Sequence, residues 1–283
     1  MRRLRQSRRS TIFLNKMDKR PILFIDSGFG GIPYAHFFRS RNKTEKLIYA
    51  ADRANFPYGP RSKEEVIKIV LSFAQELIDH YDPKIIVVAC NTASVSALLA
   101  LRETFPTVPV VGTVPAIKSA VLASRKRRIG VLGTQRTIED PYIAELAFQY
   151  GPDCEIFGEA AAELVDFVER RWFEAGSEER LLAVKPWIEK LRRKGADTLV
   201  LACTHFLLLA DEFRIAAGND LLVFDSVEGV CKRVESILDS EGLHADLQND
   251  AGAPVLIVTG DEPLETRWEK LAGVFGFTME TRR

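Results

Sequence analysis

The sequence predicts an α/β fold: two pseudo-symmetric, open-sheet α/β domains with the active site in the interdomain cleft. Three observations carry this expectation. Apolar, β-branched runs alternate with segments of helical spacing, the pattern of parallel strands joined by crossover helices. One unit occurs twice: residues 85–98 (IIVVACNTASVSAL) and 198–209 (TLVLACTHFLLL) each pass from an apolar strand through Ala-Cys and a neighbouring Thr into a second apolar segment. The spacing also repeats, since Asp26 precedes Cys90 by 64 residues and Thr134 precedes Cys203 by 69. The domain division that follows is a disordered basic arm at 1–19, a first domain from 20–113 plus 225–283, and a second from 114–224.

With 283 residues, 46% of them hydrophobic, the chain is long enough for two such cores. Its net charge of zero hides an asymmetry. Residues 1–20 hold eight Lys/Arg against one acid, which leaves 31 basic and 38 acidic residues beyond them, a net charge of −7. That mildly acidic body speaks against a nucleic-acid face, and the arm reads as a solvated tail. No apolar run is long enough for a membrane span, and the basic start lacks the apolar segment of a secretory signal. The four cysteines, Cys90, Cys154, Cys203 and Cys231, form neither a CxxC pair nor a zinc pattern, as expected in a reducing cytoplasm.

The elements follow in order. Residues 21–25 form a short buried strand that runs into Asp26-Ser27-Gly28-Phe29-Gly30-Gly31 and a helix from about Ile32. Strand, glycine turn and helix start make an anion cradle or simply a tight βα turn. Pro33 stands where a dinucleotide fingerprint needs Gly, and no P-loop Lys-Ser/Thr pair is present. Residues 47–50 are a second strand leading to a turn-rich loop with Tyr58-Gly59. Ser62 and Glu65 form a capping box ahead of a core-facing helix that carries Val66, Val70, Phe73 and Leu77. The Cys90 strand and its helix come next, then residues 108–111.

A new unit opens at Arg128 with a strand ending in Gly133-Thr134 and a helix from about Pro141. Residues 161–172 and 181–193 read as helices, and Gly195 caps the second before the Cys203 strand. Residues 221–224 form a strand, 229–238 a helix, 255–258 the last strand and 264–275 the last helix. This tail is expected to return to the first domain.

Cys154 and Cys231 read as packing residues, and His36, His80 and His244 as surface or packing residues. Cys90 and Cys203 differ, because each ends an apolar strand amid hydrogen-bonding side chains that a core does not need. Buried thiols remain a fair alternative. A thiol at a helix start can exchange a proton near neutrality. Two of them on opposite faces of one carbon would invert a stereocentre, while nearby hydroxyls, amides and N–H groups hold a carboxylate and the developing enolate charge. The competing chemistry, a redox dithiol, normally uses CxxC.

Taken together, DSGFGG, the loop ending FPYG, ACNTAS, ACTH and the VTGDEP tail resemble the glutamate racemases of the aspartate/glutamate racemase family, from about Pro21 to the C-terminus. The resemblance implies a cofactor-independent isomerase, with no metal, that interconverts L- and D-glutamate for peptidoglycan synthesis. It implies a small-molecule partner, glutamate, and a homodimer. It assigns Cys90 to deprotonation of D-glutamate and Cys203 to that of L-glutamate. Asp26, His205 and Glu169 would support the thiols. Substrate contacts would come from Asp26, Ser27, Tyr58, Gly59, Asn91, Thr92, Thr134, Thr204 and His205. Two departures fall in the second half-site. The family's GCTHYP is Ala202-Cys203-Thr204-His205-Phe206-Leu207 here, and the segment before Glu169 lacks prolines. Related aspartate or small-acid racemases, and a non-catalytic acid-binding protein, are the alternative readings.

Overall fold

The computed structural model describes residues 17–246, 251–261 and 265–281. Its first half runs β1 (Ile22–Asp26), α1 (Ile32–Arg41), β2 (Leu47–Ala51), α2 (Lys63–Tyr81), β3 (Ile85–Val88), α3 (Asn91–Thr104) and β4 (Val110–Gly112). After α4 (Ile117–Ala123) come β5 (Arg128–Gly133), α5 (Gln135–Glu139), α6 (Pro141–Tyr150), β6 (Glu155–Ala160), α7 (Ala162–Arg171), α8 (Ser177–Arg193) and β7 (Thr198–Ala202). A 3-10 segment, Thr204–Leu209, leads into α9 (Ala210–Ala217) and β8 (Leu222–Phe224). The tail comprises α10 (Val227–Glu241), β9 (Val255–Val258), α11 (Thr266–Phe275) and β10 (Thr278–Thr281).

These strands build two parallel sheets, ordered β10-β9-β2-β1-β3-β4 and β6-β5-β7-β8. The order β2-β1-β3-β4 is repeated by β6-β5-β7-β8, so the duplication visible in spacing is also one of topology. In each sheet the first strand of the unit has its successor on one side and the third strand on the other. Such a reversal opens a crevice at the carboxyl ends of the two central strands, where open α/β sheets bind ligands. Here those ends are β1 with β3, and β5 with β7.

Strand alternation explains why both faces are covered. Ile22, Phe24, Ile85 and Val87 face a core that continues through Leu199 and Leu201 of the other sheet and Val168 and Val184 of its helices α7 and α8. Leu23, Ile25, Ile86 and Val88 face the opposite way, onto Val66, Val70 and Leu77 of α2 and Ala97 and Leu101 of α3. In the second sheet Ile129, Val131 and Val200 pack on Ile117 and Val121 of α4 and Leu146 of α6. Near-continuous β-branched runs are what strands buried on both faces require.

The capping box holds: Glu65 N donates to Ser62 Oγ at 3.2 Å while Ser62 N donates to Glu65 Oε2 at 2.9 Å. The tail strand β9 pairs with β2, and β10 pairs with β9. Residues 255–258 are therefore not the last strand. The edge strand β10 escapes a sequence reading because TMET has no apolar alternation. For the same reason β6, with mostly half-exposed side chains, goes unread, as do the short helices α4 and α9. Helix α8 begins at Ser177, four residues before the reading, because Gly176 acts as its N-cap. Of the basic arm, residues 1–16 lie outside the described residues. At its end Asp18 is tied down, accepting from Arg20 Nη2 at 2.7 Å and passing its carbonyl to Lys84 Nζ at 2.9 Å.

Candidate active site

Cys90 and Cys203 each take up the position just past a central strand. Cys90 is the N-cap of α3, and Cys203 precedes the 3-10 segment in the same way. Both line one cavity of about 740 Å³ between the two sheets. Ser27, Tyr58, Gly59, Asn91, Thr92, Thr134, Thr204, His205 and Glu169 share its wall. All the expected site residues except Asp26 are thus brought to one surface.

Asp26 lies behind that wall, 2% exposed, with its carboxylate turned to protein donors. Its Oδ1 accepts from Ser27 N at 2.7 Å, and its Oδ2 from Gly31 N at 2.7 Å, Tyr49 OH at 3.1 Å and Thr204 Oγ1 at 3.3 Å. The helix start read as an anion cradle is therefore occupied by the protein's own carboxylate. Burial raises the Asp26 pKa, against the pull of the His205 charge and these donors. Burial and the Asp26 charge together push the Cys90 thiol well above the ordinary thiol range, while the Ala93 N–H at the helix start and Ser27 pull it down. Ser27 Oγ stands 3.8 Å from Cys90 Sγ.

The second half-site is built differently. His205 Nδ1 lies 3.9 Å from Cys203 Sγ, and His205 Nε2 lies 2.7 Å from Glu169 Oε1. Burial disfavours the imidazolium, but Cys203 and Glu169 outweigh it and raise the His205 pKa well above its usual value. The His205 imidazole is thus placed between the Cys203 sulfur and the Glu169 carboxylate. After His205, Phe206 is fully buried with its ring tilted 55° against Phe213 at 6.3 Å, and Trp172 Nε1 donates to Leu208 O at 2.8 Å, contacts that hold this turn.

The glycines of the first turn make this approach possible. A Cβ at Gly30 would meet His205 N at 2.6 Å, and one at Gly31 would meet Ala89 O at 2.2 Å. Gly30 thus allows close contact between the two halves, and Gly31 close packing against the end of β3 within the first. Two hydroxyls bridge the cleft, Thr92 Oγ1 and Thr134 Oγ1 at 2.9 Å. Tyr58 turns its OH away from the cavity, donating to Asp52 Oδ2 at 2.6 Å, so its ring forms the wall. Asn91 is 2% exposed, and both its Oδ1 and Nδ2 lack a protein partner. Buried carboxamides are nearly always paired, so this one is suited to a ligand's polar groups.

Sequence reasoning missed Phe56, Gln135, Arg170 and Arg267 in the same wall. Arg267 lies in the tail, four residues beyond the VTGDEP segment, which was its one available signal. Cys231 is packed, donating to Tyr34 O at 3.6 Å, and Cys154 is partly buried. His36 pairs with Phe275 O and His244 with Asp239, both away from the cavity. Among the described residues no cluster of His, Cys, Asp and Glu has the makings of a metal site, and no helix is long and apolar enough to cross a membrane.

Two thiols that face one cavity between duplicated α/β units suit an isomerase that inverts a carbon centre. The comparisons make the class specific: the chain belongs to the Asp/Glu/Hydantoin racemase family, whose pattern matches residues 37–234. It is 43% identical over 210 residues to a glutamate racemase of Treponema pallidum (strain Nichols), covering 74% of this chain and 78% of that one. It is 36% identical over 248 residues to a glutamate racemase of Roseiflexus sp. (strain RS-1), covering 88% and 90%. Its fold is similar to that of Escherichia coli glutamate racemase, solved with L-glutamate and the activator UDP-MurNAc-Ala. That match has a TM-score of 0.78 and 32% identity, and covers 93% of this chain and 98% of the other.

Proposed function

We propose that this protein racemises glutamate by a two-thiol proton exchange at Cα. The observation that carries the reading is the placement of Cys90 and Cys203 on one cavity, each past the central strand of its own sheet. In one direction a thiolate at Cys203 removes the α-proton of L-glutamate. The Cys90 thiol protonates the opposite face of the carbanion to give D-glutamate, and the charges on the two sulfurs are exchanged. The reverse reaction starts from a thiolate at Cys90. Asp26 and Ser27 support Cys90, and Glu169 and His205 support Cys203. Asn91, Thr92, Thr134 and Thr204 are the groups that hold the carboxylates and amine, with Tyr58 and Gly59 lining the site beside them.

Sheet membership supports a division into 20–113 with 225–283 and 114–224, the cleft lying between. The family resemblance supports D-glutamate supply to peptidoglycan, and the free cysteines support a cytoplasmic setting.

The test is incubation with L-glutamate in D₂O without added cofactor, followed by optical rotation and NMR of the α-proton. Loss of rotation with deuterium uptake is expected. Exchange with aspartate but not glutamate would move the substrate assignment, and silence with both would leave an acid-binding protein.

A further inference from the structure

We propose that Arg267 is a positioning residue that locks Glu169 against His205, so that the C-terminal tail of the chain completes the Cys203 half-site. The inference rests on the racemase reading of that site.

Glu169 stands in the last turn of α7, two residues before its final residue, Arg171. A buried carboxylate there faces two penalties, the lost hydration and the negative end of the helix dipole. Its oxygens divide between two partners. Oε1 meets His205 Nε2 at 2.7 Å, and Oε2 meets Arg267 Nη1 at 3.3 Å. The same Arg267 Nη1 donates to the Glu169 carbonyl, one of the groups a helix end leaves unpaired, at 2.5 Å. Arg267 thus grips Glu169 at both backbone and side chain and fixes its rotamer. Its Nη2 is anchored on Glu265 Oε1 at 2.9 Å.

The partners come from different layers. Glu169 and His205 belong to the part of the chain around the four-stranded sheet. Arg267 is on α11, between the two tail strands β9 and β10 of the six-stranded sheet. Glu169, His205 and Arg267 all reach the cavity wall. Other titratable groups around them are Cys203 and Asp26, which face His205, and Asp166 and Arg170, on α7 beside Glu169. Within this set Arg267 is the cation that contacts Glu169 from the opposite sheet's side. An Arg can hold two acceptors at once, which the point charge of Lys does less well.

The experiment compares wild type, Arg267→Gln and Arg267→Lys by proton NMR and by kinetics. With four histidines in the sequence, the downfield ring proton of a His–carboxylate pair is assignable to His205 through a His205→Asn control. That signal is expected in the wild type, lost in Arg267→Gln and retained in Arg267→Lys. For glutamate racemisation, Arg267→Gln should lower kcat roughly 10- to 100-fold with KM little changed, since a displaced catalytic group loses rate before affinity. Arg267→Lys should recover part of that loss, and Arg267→Gln should cost little more in a Glu169→Gln background. An absent wild-type signal, a signal unchanged in Arg267→Gln, or an unchanged kcat would overturn the proposal. If the wild type shows the signal yet does not act on glutamate, the substrate reading falls and the NMR comparison still decides the role of Arg267.

Discussion

Cys90 and Cys203 adopt nearly the same backbone conformation, φ −141°, ψ 119° and φ −141°, ψ 134°, at equivalent places past β3 and β7. Their surroundings are unlike. Cys90 faces a carboxylate and a hydroxyl, Asp26 and Ser27, whereas Cys203 faces an imidazole backed by Glu169. The duplicated fold brings two thiols to one cavity, and the unshared side chains give each its own surroundings.

Replacing either thiol by Ser should remove racemisation, with a rate loss of at least about 10²–10⁴-fold, the usual worth of an acid–base group. Optical rotation measures it. Wild-type rates in Cys203→Ser would refute the two-base scheme.

The charge beside Cys90 gives a pH prediction. A thiol whose pKa is raised is alkylated slowly at neutral pH and faster as pH climbs through and past the ordinary thiol range. Asp26→Asn removes a negative neighbour, lowers that pKa and should move the alkylation curve of Cys90 to lower pH. Iodoacetamide labelling in a Cys203→Ser background reads this out, and a curve that stays in place would show that burial alone sets the thiol.

Asn91→Ala should separate binding from stability. Its carboxamide has no protein partner to lose, so the Tm should hold or rise. KM for glutamate should increase about tenfold, the loss of one good hydrogen bond. A fall in Tm with KM unchanged would make Asn91 structural.

Gly30→Ala should damage both fold and site, because its Cβ would overlap His205 N and Nδ1. Overpacking of this kind costs about 1–3 kcal/mol, measurable by urea unfolding. Activity should fall further than stability does, since the displaced group is His205.

Far from the cavity, Lys84 and Glu45 form an ion pair at 2.6 Å with both side chains essentially inaccessible. Lys84 also donates to Asp18 O and Leu243 O, fastening the start of the fold and the end of α10 to the foot of β3. Lys84→Met leaves Glu45 buried and charged and should cost about 3–5 kcal/mol in chemical denaturation. Racemisation by the folded fraction should be unaffected.

The frame of the site was legible in the sequence. Four consecutive β-branched residues fixed β3, a capping pair fixed the start of α2, and two Ala-Cys strand ends marked the facing thiols. Those signals are local, and a few neighbouring residues suffice to state them. The edge strands β6 and β10 carry no such alternation and were not readable, and the tail read as ending in a helix in fact closes with β10. For Glu169 the family resemblance was needed, because a helix residue 36 positions before His205 carries no local mark of its partner.

The sequence by itself determined the alternation of strands and helices, the duplicated unit, and the placing of both thiols at the mouths of parallel strands. Tertiary structure alone decided that Asp26 turns inward to protein donors, that Thr92 meets Thr134, and that Arg267 reaches Glu169 across 98 residues of chain. Periodicity reports which face of an element is buried. Which side chains then meet depends on how two sheets pack, and that is settled by contacts between residues far apart in the chain.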